Sequence, residues 1–166
     1  MSIGTVIANA DTFTPSEAKY HILPIECEIG DMYESTPFIE TPVRPILCTW
    51  AEAIADLRVW FQQHSVYSIF AYNACFDRNL LPEMRDFDWY DIMRLAAYRQ
   101  FNPKIPAVTD CCSTCRLKRG FGVEPMLRLL SGDSTYHESH NTLFDAMDEL
   151  DIMYLLQIHL GDYVPL

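Results

Sequence analysis

Branched apolar residues crowd the opening Ser2-Ile-Gly-Thr-Val-Ile-Ala8, and the turn signal Asn9-Ala-Asp11 follows, so the chain is expected to begin with a strand. Lys19-Tyr-His-Ile-Leu23 predicts a second strand that closes a hairpin. From Pro24 to Pro45 prolines recur without a sustained period, which predicts a long connection with at most a short edge strand. Thr49 then precedes Ala53, Ile54, Leu57, Trp60 and Phe61 at helical spacing, with Glu52 three residues on, which predicts a capped helix to about His64. Val66 to Tyr72 is a short aromatic and branched run of the kind that forms a buried strand. Asn73 ends it and can cap a short helix to about Leu81, stopped by Pro82.

Further on, Trp89-Tyr-Asp-Ile-Met93 predicts a short strand or turn, Leu95 to Phe101 a helical stretch, and Asn102 to Gly120 a long loop. Pro125 suits the first position of a helix to Leu130, which Gly132 can terminate. Leu143, Phe144, Met147, Leu150, Met153, Tyr154 and Leu155 recur at three and four residue spacing and predict a helix opening near Asn141. Leading strands followed by alternating helices and strands indicate an α/β layered fold with a mixed sheet.

Length and composition narrow the class. The chain has 166 residues, 49% of them hydrophobic and 21% charged, which suits a single folded domain over 1–166 and not a disordered segment. A formal charge of -11 argues against binding nucleic acid by phosphate neutralisation alone, so a polyanionic substrate would need metal ions as intermediaries. No run approaches the ~20 apolar residues of a membrane helix, and no cationic signal opens the chain. The expectation is a cytoplasmic protein with no membrane partner.

The six cysteines include Cys111, Cys112 and Cys115 in one turn-rich loop, and reduced thiols are expected. One CxxC supplies half of a zinc site, so zinc would need His137 or a distant cysteine; a small zinc-binding interaction domain built on this loop is the weakest reading. The same loop holds Lys104, Arg116, Lys118 and Arg119, a third of the 12 basic residues. They read equally as a solubilising surface or as phosphate contacts.

Two stretches place a carboxylate just inside a helix that opens after a polar residue: Asn73-Ala-Cys-Phe-Asp77 and His140-Asn-Thr-Leu-Phe-Asp145. A carboxylate fixed at a sheet edge suits a hard cation such as Mg²⁺, and a histidine beside it can take a proton from bound water near neutral pH. Each stretch alone also reads as a capped helix start, with Asp77 answering the helix dipole and Thr142 with Asp145 matching a capping pair.

In this order the two stretches resemble motifs two and three of the proofreading-type 3'-to-5' exonucleases, the DEDDh class with a ribonuclease H-like fold, as in the epsilon subunit of DNA polymerase III. Ser2-Ile-Gly-Thr-Val also resembles that family's second strand, Trp89-Tyr-Asp91 with Arg94-Leu-Ala96 its strand-to-helix step, and Val123 to Leu130 its small packing helix. The resemblance implies a ribonuclease H-like mixed sheet flanked by helices, with Asp77 and Asp145 as ligands of Mg²⁺ or Mn²⁺ in a two-metal site and His140 as general base. It makes Asn73 and Phe76 supports at the substrate. Tyr72, Phe121, Arg116, Lys118 and Arg119 are the candidates for holding a single-stranded DNA or RNA 3' end, and a polymerase is the candidate protein partner.

The family's first motif, Asp-x-Glu on the first strand, has no counterpart before Ser2; Asp11-Thr-Phe13 lies after the matching strand and lacks the second acid. The expectation is an N-terminally truncated exonuclease, weak or inactive, lacking the family's first strand. A natural remnant that binds nucleic acid or a polymerase without cutting is the alternative. A strand supplied by a partner, for instance through a homodimer formed by strand exchange, is a further one, because unpaired interior strand edges need a partner.

Overall fold

The computed structural model describes residues 1–24 and 36–166. Cys27 and part of the proline-rich connection therefore lie outside the described residues. The chain folds as mixed α/β, with five strands distributed between two small sheets and five α-helices among the described residues.

The first sheet grows from the expected hairpin. Strand β1 (Ser2–Ala8) pairs antiparallel with β2 (Pro15–Ile22) in the register Ser2 to Ile22, and β2 pairs in parallel with β3 (Ile46–Leu47). The second strand begins four residues before the expected Lys19 because Pro15 to Ala18 have β1 to pair with, and Pro15 needs no ladder donor at the strand's start. Helix α1 (Trp50–Gln63) follows. Thr49 accepts from the Glu52 N–H while the Glu52 carboxylate accepts from the Thr49 N–H, so both halves of the capping box are present.

The second sheet is a parallel pair, β4 (Ser68–Ala71) and β5 (Asp88–Asp91), connected through helix α2 (Ala74–Leu80) and a 3₁₀ turn at Pro82–Met84. Asn73 stands at the start of α2 but not as the expected side-chain cap. Its backbone is left-handed, with φ of 64°, and its side chain makes no capping bond. Its N–H instead donates to Asp91 Oδ1.

Helix α3 (Met93–Ala96) opens earlier and stops sooner than the expected Leu95 to Phe101. The reason is competition for the backbone. Leu117 N–H donates to Ala97 and Arg99 N–H to Cys115, so the residues after Ala96 pair with the long loop. Helix α4 (Val123–Ser131) follows an extended Gly122, so Pro125 is its third residue and not the expected first, and Gly132 ends it in the left-handed conformation with φ of 79°. Helix α5 (Thr142–Leu156) completes the set, capped by Asn141, whose side chain accepts from the Leu143 and Phe144 amides.

Alternation along β1 distributes its side chains between two apolar layers. Ile3 and Ile7 pack with Leu57, Trp60 and Phe61 of α1, whereas Val6 packs with Leu143 and Met147 of α5. A larger cluster joins α3, α4 and the far half of α5 through Ile92, Leu95, Met126, Leu127, Ile152 and Met153. No helix among the described residues is long and apolar enough to cross a membrane.

Candidate functional site

The backbone at β1 and α5 approaches so closely that glycine is required. A Cβ on Gly4 would overlap the Thr142 carbonyl and the Leu143 amide, and Ser2 Oγ lies 3.0 Å from Thr142 Oγ1. The same helix start is tied down from the other side. Buried Asn141 donates through Nδ2 to Tyr20 Oη and to the Thr36 carbonyl, both at 2.8 Å, and Tyr20 in turn donates to Pro37. Asp145, one turn into α5, is thereby held at a fixed place beside β1.

That place is the wall of a cleft of about 930 Å³ between the two sheets. Every residue of β1 and every residue of β4 lines it, and so do Asp77, Asp145 and Glu149. Asp77 enters from the first turn of α2, directly after β4. Residues from three elements that are distant along the chain thus share one space.

The electrostatics of this wall are strained. Burial, with Asp91 adding to it, pushes the Asp77 carboxyl up to about 6. Burial, then Glu138 and Asp148, push Asp145 up to about 7. Burial and the neighbouring Asp77 raise Glu149 well above its ordinary range, although the Tyr72 amide lies against it. Burial likewise raises Asp148 to about 6, even though Tyr136 Oη donates to it. Asp145 Oδ1 is buried and has no hydrogen-bond partner among the described residues. No lysine or arginine lines the cleft.

Of the expected site residues, the cleft receives Asp77, Asp145 and Phe76, the last 60% exposed as a residue. His140 is elsewhere. It sits in the left-handed conformation just before α5, with Nδ1 3.8 Å from Glu138 Oε1, and is not among the cleft's lining residues. Arg116 stacks over Phe121 at 4.7 Å, Lys118 pairs with Asp110 at 2.9 Å, and Arg119 is exposed; none of the three lines the cleft. Their loop is nevertheless anchored beside it, because Tyr72 Oη donates to the Phe121 carbonyl at 2.6 Å.

Glu149 was not expected from the sequence. Its signal is present there: it lies four residues after Asp145, and two acids at that spacing on one helix face repel. Such a pair facing a packed sheet is tolerated only where something other than helix stability holds it.

The carboxyls suit a hard cation in one respect and fail in another. Asp145 Oδ1 is an orphaned acceptor, and raised carboxyls are ones a cation would ionise. However, among the described residues no three His, Cys, Asp or Glu side chains form a group that could hold a metal ion. That includes Cys111, Cys112 and Cys115, which are free thiols; Cys112 Sγ lies 3.0 Å from Thr114 Oγ1, and this contact lowers its pKa.

Comparisons with protein families, with curated proteins and with solved structures find no match to this chain.

Proposed function

We propose that this chain is a ribonuclease H-like domain of the metal-dependent 3'-to-5' exonuclease class, with weak activity because its ligand set is incomplete. The observation that carries the reading is the sharing of one cleft by Asp77 and Asp145, two carboxyls brought from separate helix starts, with Glu149 beside them. The antiparallel β1 and β2, the parallel β4 and β5, and a C-terminal helix laid across β1 support the fold assignment.

Asp77 and Asp145 are the residues that would hold Mg²⁺ or Mn²⁺; Glu149 stands close enough to feel their charge but does not complete a three-carboxyl group with them. When bound, the cation supplies activation of water and stabilisation of the leaving 3'-oxygen. The protein's own part is to orient these groups through Gly4, Asn141 and Asn73, and to present a strand end near Tyr72 and Phe121. His140, the general base that the resemblance implies, does not line the cleft.

Release of labelled mononucleotide from 3'-labelled single-stranded DNA, in Mn²⁺ and in chelator, tests the reading. Expected is a slow, metal-dependent release that Asp77→Asn and Asp145→Asn each reduce by at least about a hundredfold. Release that survives both substitutions overturns it. Oligonucleotide binding without any release favours the second reading, a non-catalytic nucleic-acid or polymerase-binding module. The position of His140 against Glu138, outside the cleft, is the observation on that side.

A further inference from the structure

The two strands that wall the cleft each have one ladder partner and one open edge. Met1 and Leu23 pair through their backbones at the end of β1, with the Leu23 N–H donating to Met1 O at 2.9 Å. Antiparallel alternation then directs the backbone groups of Ile3 and Thr5 at β2 and those of Ser2, Gly4 and Val6 into the cleft. On the facing wall, Asp88 N–H donates to Tyr67 and Ile92 N–H to Ala71, so Ile69 and Ala71 face β5 while Ser68 and Phe70 face the cleft. Their N–H and C=O groups have no backbone partner among the described residues. Two opposed walls of alternating donors and acceptors, spaced along extended chains, match a peptide backbone.

The volume and the lining say what kind of peptide. A strand residue fills a slab about 4.8 Å by 10 Å by 3.4 Å, so a cleft of about 930 Å³ holds roughly six residues, close to the length of β1. Leu57, Phe61 and Met84 close it on the α1 side, and Ala146, Leu150 and Met153 on the α5 side. An occupant is therefore covered on both faces and must be apolar on both. Toward the Tyr72 end stand three carboxyls and no basic side chain.

We infer that the cleft captures one extended strand of a partner polypeptide, apolar along its length, with a single basic side chain placed opposite Asp77, Asp145 and Glu149. Strand capture needs none of the hydrolytic chemistry proposed above, and it is measured without metal or nucleic acid.

The probe is a fluorescein-labelled heptapeptide of valines with one internal lysine and a polyethylene-glycol tail, titrated against the whole chain in chelator at low salt. Saturable binding is expected, weakened at least about tenfold when alternate peptide amides are N-methylated and about tenfold when the lysine is replaced by glutamate. Amide exchange gives the location. At saturation the N–H groups of Gly4, Val6 and Phe70 should slow by about tenfold or more, while those of Ile3, Thr5 and Ile69, already paired, stay unchanged. No binding at about 1 mM peptide, equal binding of the N-methylated form, equal binding of the glutamate form, or uniform slowing along β1 would each overturn the inference.

Discussion

Asp56 and Asp145 are both carboxylates facing β-strands from a helix, and they meet opposite fates. Asp56 on α1 receives Lys19 Nζ at 2.6 Å and His21 Nε2 at 2.9 Å, so although burial pushes its carboxyl up, those bonds hold it below its ordinary range. Asp145 on α5 is driven up to about 7 by burial first, and then by Glu138 and Asp148, which stand where Asp56 has a cation. The difference separates a carboxylate that serves the fold from one held in place without serving it. Asp56 closes a network around buried His21, whereas Asp145 keeps an unpartnered oxygen at a cleft.

Asp145 keeps its place only while α5 is pinned, and Gly4 is where that can be broken most severely. Gly4→Ala inserts a methyl into the Thr142 backbone and should cost about 3 kcal/mol or more in urea unfolding, with no relief from flexible side chains. A cost under about 1 kcal/mol would mean that α5 can slide, and that Asp145 is not held in place beside β1.

Removing the paired carboxylate should cost less. Asp56→Ala leaves fully buried His21 with neither ring nitrogen bonded among the described residues, since its Nδ1 already lacks a partner there, and should lose about 2 kcal/mol at neutral pH. The depressed carboxyl contributes stability that is present above its unfolded value and lost as pH falls through its folded one. The variant's deficit should accordingly shrink in acid.

The smallest effect carries the opposite sign. Asp145 is raised in the folded state, so the native chain binds its proton more tightly than the unfolded chain, and stability falls as pH rises from about 4 to about 7. Asp145→Asn should therefore stabilise the protein by about 1 kcal/mol at pH 8, after partial exposure and the lost helix-dipole interaction are discounted, and leave it unchanged near pH 3. Paired urea titrations at the two pH values check this. A loss of stability at pH 8 would place Asp145 in the same class as Asp56.

Elements governed by local chemistry could be read from the sequence. The Thr49 and Glu52 box, the branched run of β1, Gly132 as a terminator and the periodic face of α5 all depend on neighbours a few residues away, and each stands where expected. What depended on distant partners could not. Leu95 to Phe101 has helical spacing, but Cys115 and Leu117 draw the backbone after Ala96 into pairing. Likewise, Asn73 has the right side chain for a cap, yet Asp91 takes its amide and leaves the residue left-handed. At the site, Asp77 and Asp145 were legible as acids at helix starts. Glu149 was hidden inside an apolar stripe, and the left-handed backbone at His140, just before α5 and outside the cleft, has no signal in residue spacing.

Asp91 stands outside the cleft, yet one of its oxygens, Oδ1, accepts from the Asn73 amide and the Met93 amide at once, 3.0 Å from each. The exits of both parallel strands are therefore riveted to a single atom, and α2 and α3 share one pivot. The negative charge of this side chain also opposes ionisation of Asp77. Whatever loosened that rivet would redirect Asp77 and change its readiness to lose a proton in the same event.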